Sequence, residues 1–159
     1  MTVTLDALDV KILELLQQDV TLPVADLAER VGSSKSVCWR RIQRLVDTGI
    51  IQSRVAILDP KKIGLDLMVF AHVKMNRHSL DVLPRFVEAV RRYPQVMECH
   101  TLMGDVDFLL KIVVTNVEEY EDFFWHKLSR IEGVQEVSSS ISLTKFVYKT
   151  DLPLGQLKS

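Results

Sequence analysis

The run Ser33-Ser34-Lys35-Ser36-Val37-Cys38-Trp39-Arg40-Arg41-Ile42-Gln43-Arg44-Leu45 has two chemically different sides. At roughly 100° per residue, Cys38, Ile42 and Leu45 fall within about 60° of one another on a helix. Ser36, Arg40, Gln43 and Arg44 lie on the opposite side. One face belongs in a small core. The other carries guanidinium forks and short hydrogen-bonding groups, which suit phosphate oxygens and the N7/O6 edge of guanine. Taken alone, that face fits a solvated basic surface equally well.

What precedes the run changes its reading. Leu5, Leu8, Ile12, Leu15 and Leu16 follow helical spacing and predict a first helix from Asp6 to Asp19, with Asp6 and Asp9 at the positive end of its dipole. Pro23 opens a second helix, in which Val24, Leu27, Ala28 and Val31 form one stripe. Gly32 stops it, and Ser33 or Ser34 can cap the third helix by accepting a backbone N–H. Two short helices joined by a glycine turn, the second basic on its outer face, are the helix-turn-helix layout, whose second member enters the major groove of duplex DNA. Charge agrees. The 159-residue chain carries a formal net charge of −1, yet from Arg30 to Arg54 there are six Lys or Arg and one acid, Asp47. A local basic patch on a near-neutral protein points to one charged partner met at one place.

Ser36 and Arg40, in the first half of the third helix, are placed for base edges, and Arg41 and Arg44 for phosphates. Lys35 at the entry fits either role, and Ser34, Gln43 and Arg54 complete the candidate set. Two roles fit Trp39: a roof over the three-helix core, or a sugar-phosphate contact. Cys38 reads as a small buried hydrophobe. After Gly49, Ile51 to Ile57 alternates like a half-buried strand, the short wing of a winged domain, and Asp59-Pro60 ends it. These signals divide the chain into a helix-turn-helix domain at 1–53, a hinge strand and linker at 54–64, a second domain at 65–150 and a tail at 151–159.

Beyond Gly64 the rhythm changes. Strands are predicted over Leu67–Lys74, Val96–Met103, Phe108–Val114 and Val134–Tyr148. Leu83, Phe86, Val87 and Val90 mark one helix, and Asn116 with Glu119 forms a capping box for another, with Val117, Tyr120, Phe124, Leu128 and Ile131 inward. The order β-α-β-β-α-β is the ferredoxin-like arrangement, so the whole chain reads as α+β: a winged three-helix domain followed by a ferredoxin-like one. Helices on one sheet face leave the other open. Ala71, Val73, Leu110, Ile112, Ile141 and Leu143 supply apolar side chains for such a face, which predicts at least a dimer.

Other classes fare worse. No apolar run approaches the roughly 18 residues that span a bilayer, and the N-terminus does not resemble a secretion signal, so a cytoplasmic protein is expected. Cys38 and Cys99 stand far apart without metal-ligand spacing. A metal- or thiol-responsive regulator using Cys99 and His100 is the competing reading, but adjacent strand residues face opposite ways, and His72, His78 and His126 have no matching spacing. No nucleophile-base pair, phosphate loop or paired-carboxylate arrangement suggests an enzyme.

The chain resembles the Lrp/AsnC (feast/famine) family of transcriptional regulators along nearly its whole length. The resemblance lies in Leu5-Asp6-x-x-Asp9-x-x-Ile12-Leu13, in Cys38-x-Arg40-Arg41-Ile42-x-Arg44-Leu45, and in Gly49-Ile50-Ile51. Leu58-Asp59-Pro60-x-x-x-Gly64 and Gly104-Asp105-Val106-Asp107-Phe108-Leu109-Leu110 complete it. It implies binding to double-stranded DNA, a C-terminal domain that senses an amino acid, no other cofactor, and homodimers assembled into octamers with the effector between subunits. By position, the effector pocket would use Leu102, Met103, Gly104, Asp105 and Asp107, with Ser138, Ser139, Ser140 and Ile141 from a neighbouring subunit. Asp107 and the amides of a glycine turn suit an ammonium and a carboxylate; Asp105 and Asp107 could equally serve to satisfy backbone groups of the turn. Val106 stands where an aromatic is frequent, Ser33 where leucine is usual, and Lys35 and Val37 at positions often held by proline.

Overall fold

The computed structural model describes residues 4–76 and 82–157. Two units emerge: the residues up to Ile57 together with those from Phe146 onward, and Leu58–Lys145. The segment from Phe146 packs with the first unit.

In the first unit, α1 (Ala7–Gln18) begins with a reciprocal cap in which Asp6 Oδ1 accepts the Asp9 N–H at 2.9 Å and Asp9 Oδ2 accepts the Asp6 N–H at 3.1 Å. Pro23 is the N-cap of α2 (Val24–Val31), and Gly32, at φ +68°, closes that helix in the left-handed conformation glycine tolerates. Of the two candidate caps for α3 (Lys35–Asp47), Ser34 serves: its Oγ accepts the Val37 N–H at 3.3 Å. Ile12, Leu13, Leu27, Ala28, Val31, Cys38, Ile42 and Leu45 form the buried core where the three helices meet. The C-terminal segment adds Leu154 to its edge, and the Gln17 amide clasps the Leu152 backbone, accepting its N–H at 2.7 Å and donating to its carbonyl at 3.3 Å.

The expected strand over Ile51–Ile57 does not form. This stretch has no ladder partner among the described residues, and Val55 and Ile57 are exposed. Alternation of side chains prepares a strand, but only a neighbouring backbone makes one.

The second unit is a four-stranded antiparallel sheet in the order β2-β3-β1-β4, built from β1 (Leu67–Met75), β2 (Val96–Thr101), β3 (Phe108–Val114) and β4 (Val134–Ile141). With α4 (Val82–Arg91) and α5 (Val117–His126) the order is the β-α-β-β-α-β read from the sequence. Every second residue of β1 and β3 is buried: Val69, Ala71, Val73 and Met75, with Phe108, Leu110, Ile112 and Val114. They pack with Val82, Phe86 and Val90 of α4, with Tyr120 and Phe123 of α5, and with Leu128.

Four details correct the sequence reading. The last strand stops at Ile141 instead of Tyr148, for residues beyond it leave the β1 ladder after the bond from Ser142 N to Met68 O. Phe123, absent from the predicted stripe, is the most buried aromatic of α5, while Phe124 is half-buried against the core as expected and Val117 is half-exposed. Asn116 caps that helix, but Glu119 reaches back to the N–H and hydroxyl of Thr115 (2.8 and 2.7 Å). Ala71, Val73, Leu110 and Ile112 face the helices, so the open sheet face carries Met68, Phe70, His72 and Lys74 beside Leu109, Lys111 and Val113.

Candidate DNA-binding face and ligand site

The core-facing stripe of α3 fixes its rotation, because Cys38 and Leu45 are fully buried and Ile42 nearly so. Ser34, Lys35, Ser36 and Arg40 are therefore exposed along one side, with Gln43 half-buried beside them. The Ser34 and Ser36 hydroxyls lie 3.2 Å apart at the helix entry. Trp39 is 53% exposed, which removes the core-roof alternative and leaves its ring among the surface groups. Arg54 is exposed on the irregular segment that follows.

Arg41 and Arg44 are placed otherwise. Asp9, fully buried at the start of α1, accepts Arg41 Nη1 at 3.0 Å on Oδ1 and Arg44 Nη2 on Oδ2. Arg41 also donates to Asp6. The Asp6 carboxyl is held below the usual range by the Asp9 N–H first and by Arg41 second, and Arg41 is raised in turn by Asp6 and Asp9. The two arginines read as phosphate contacts thus pair internally in this chain and tie α3 to α1. Sequence reasoning assigned Asp6 and Asp9 to the helix dipole and missed this pairing. The signal was present in matched spacing, since both the acids and the arginines are three residues apart and each pair shares a helix face.

In the second unit, residues 102–107 form the turn between β2 and β3. The Leu102 N–H donates to Asp107 O, the Asp107 N–H to Val73 O (both 2.9 Å), and Asp107 Oδ2 accepts the Met75 N–H at 2.8 Å. One carboxylate oxygen of Asp107 thus fastens the turn to the end of β1. Leu102, Met103, Gly104 and Asp105 are exposed, Met103 completely. Ser138–Ile141 lie on β4, across β1 from that turn, so one chain does not bring the two groups together. They also divide between faces. Ser138 and Ser140 are level with His72 and Phe70 on the open side, while Ser139 and Ile141 are level with Ala71 and Val69 on the helix side. There the Ser139 hydroxyl meets the Tyr120 hydroxyl at 2.5 Å, and burial, only partly opposed by that bond, raises the tyrosine's pKa.

Cys99 and His100 are separated as their strand positions require. Cys99, level with Leu110, borders a cleft of about 460 Å³ with Val87, Val90 and Phe108, and burial pushes its thiol up. His100, level with Leu109, pairs at 3.1 Å with Glu98, which also accepts Lys111 Nζ at 2.6 Å. Among the described residues no three His, Cys, Asp or Glu side chains gather as metal ligands; His78 lies outside them. No described helix is long and apolar enough to cross a membrane.

A helix-turn-helix unit with a polar outer face on its second helix, followed by a ferredoxin-like sheet domain, defines a two-domain DNA-binding regulator. Comparison with known proteins gives the same class. The family model of the AsnC-type helix-turn-helix domain matches residues 5–46, and that of the Lrp/AsnC ligand binding domain matches residues 68–152. The chain is 42% identical over 152 residues to the glutamate uptake regulatory protein of Zymomonas mobilis, covering 96% of this chain and 92% of that one. It is 39% identical over 150 residues to the DNA-binding transcriptional activator DecR of Escherichia coli, covering 94% and 99%. Among solved structures, a transcriptional regulator from Neisseria meningitidis in complex with L-Met superposes with a TM-score of 0.90 at 36% identity, over 95% of this chain and 97% of that one. The protein belongs to the Lrp/AsnC family of transcriptional regulators.

Proposed function

We propose that this regulator reads duplex DNA in the major groove with Ser36 and Arg40, supported by Ser34, Lys35, Trp39, Gln43 and Arg54, and that a free amino acid controls it. The observation that carries the reading is the division of α3: Cys38, Ile42 and Leu45 lock one side into the core while Lys35, Ser36, Trp39 and Arg40 stand in solvent on the other. A guanidinium fork at Arg40 matches guanine O6/N7, and Ser36 can serve as donor or acceptor. The amino acid is held between the 102–107 turn of one subunit and Ser138–Ile141 of another, in a dimer formed through the open sheet face and in octamers built from it. An amino-acid effector is supported by the L-Met bound to the Neisseria protein and by the name of the Zymomonas relative. The protein acts in the cytoplasm, on DNA, and carries out no reaction of its own.

The test uses an operator selected by the protein itself from a pool of random duplexes. Arg40→Ala lowers operator affinity by about 1–3 kcal/mol and relaxes base preference at one position. Equal weakening on operator and random DNA would make Arg40 a phosphate contact. A thermal-shift screen against the twenty amino acids identifies the effector, since a ligand selective for the folded form raises its melting point.

A further inference from the structure

We infer that Asp9 is a positioning residue that raises sequence selectivity by withholding Arg41 and Arg44 from DNA phosphates. The inference rests on the reading of α3 as the DNA-contacting helix. Asp9 is the one buried charged side chain among the described residues. Both its oxygens are occupied, Oδ1 by Arg41 and Oδ2 by Arg44 and the Asp6 N–H, and Asp6 holds Arg41 a second time. Two carboxylates and two guanidiniums cancel. Of the six cations between Arg30 and Arg54, two are thereby neutralised on the helix that meets DNA.

Neither arginine is buried: their side chains are 29% and 43% exposed. What holds them is the carboxylate behind them. Moving either guanidinium to a phosphate strips a partner from a charge that cannot reach water, and an uncompensated buried charge is costly. A phosphate contact strengthens binding to every sequence alike, whereas base-edge contacts distinguish one sequence from another. Keeping two arginines per subunit off the phosphates lowers the non-specific floor and leaves Ser36, Arg40 and their neighbours to set the ratio of specific to random binding, the quantity that matters in a genome.

Binding of the full-length protein to random-sequence duplex between 50 and 200 mM KCl tests this, because the slope of log affinity against log salt reports phosphates neutralised. Arg44→Gln is expected to leave the wild-type slope unchanged. Asp9→Asn steepens it by about 0.9 for each arginine released, an extra loss of about 3.5-fold across that salt range, and adding Arg44→Gln reverses part of the change. Asp6→Asn keeps an N-cap acceptor and leaves Arg41 on Asp9, so its slope is expected to match the wild type, and a steeper slope would make Asp6 the withholding group and overturn the inference. If Asp9→Asn fails to fold, Arg44→Gln in the wild type still tests it. A slope made shallower by about 0.9 when Arg44→Gln is introduced into the wild type would overturn the inference, since Arg44 would already be on a phosphate. An unchanged slope in folded Asp9→Asn would reduce Asp9 to a structural anchor and overturn the inference. Failure of the α3 reading looks different: Arg40→Ala would then leave operator and random binding both unaltered.

Discussion

Gly133→Ala asks how closely the start of β4 is seated against α4. Gly133 has φ +86° and precedes β4, and its carbonyl accepts the Asn76 N–H at 2.7 Å. A Cβ built there would lie 1.9 Å from Val82 Cγ1, 3.2 Å from Val82 Cβ and 3.3 Å from Met75 Cε. The first distance is far inside van der Waals contact. Val82 and Met75 are buried, and β-branching leaves Val82 few rotamers by which to yield. The left-handed backbone costs an alanine about 1–2 kcal/mol and overpacking about 1–3 kcal/mol, so the substitution should destabilise by about 2–5 kcal/mol. Val82→Ala removes the nearest clashing methyl, and the new methyl at 133 fills the space it vacates. The double variant should therefore recover the overpacking part but not the backbone part, a favourable coupling of about 1–3 kcal/mol. Urea denaturation followed by circular dichroism at fixed protein concentration measures all four proteins. A loss below about 1 kcal/mol, or simple additivity of the two changes, would refute the close approach.

Asp107→Asn keeps an acceptor for the Met75 N–H, so it should melt near the wild type yet lose its response to an amino acid; Asp107→Ala should also lose about 1–2 kcal/mol of stability, visible in the same urea experiment. The Lys111 and His100 hydrogen bonds hold the Glu98 carboxyl below its usual range, so their stabilisation is present above the ordinary carboxylate pKa and disappears as pH falls through the depressed value. Since Glu98 is 46% exposed, that contribution is under about 1 kcal/mol, and Lys111→Met should flatten the acid limb of a stability-pH curve. Burial raises the Cys99 thiol, so iodoacetamide at pH 7.5 should alkylate it more slowly than a cysteine peptide; a faster rate would revive a thiol-sensing role.

Periodicity made the helices and strand order legible because each stripe or alternation is a local property: Leu27, Ala28 and Val31 must share a side whatever they meet. Partners are not local. Ile51–Ile57 alternates as a strand does, but no adjacent backbone pairs with it among the described residues. For β1 and β3 alternation told which residues share a face, yet only the docking of α4 and α5 decides that Ala71 and Leu110 are covered while Phe70 and Leu109 are not. From Tyr120, both Phe123 and Phe124 lie one helical turn away, and in the fold Phe123 takes the core position while Phe124 packs at its margin. The candidate site divides the same way. The exposed side of α3 follows from its buried stripe, whereas the fate of Arg41 and Arg44 depends on Asp9, more than thirty residues earlier in the chain.

Sheet order also constrains how an amino acid could act under the proposed reading. Asp107 fastens the 102–107 turn on one side of β1, and Ser138–Ile141 occupy the other side. Antiparallel strands lie about 4.8 Å apart, so β3 and β4 are separated by about 10 Å with β1 filling the gap. Under the proposed reading the ligand takes the two groups from two chains, and it then binds the assembled protein better than the separate one. By linkage, the ligand promotes assembly by the same factor that assembly promotes binding. Effector affinity measured by calorimetry should therefore tighten with protein concentration until the oligomer is complete. An affinity constant across the range in which the oligomer forms would confine the ligand to the turn and leave the β4 serines without a part in sensing.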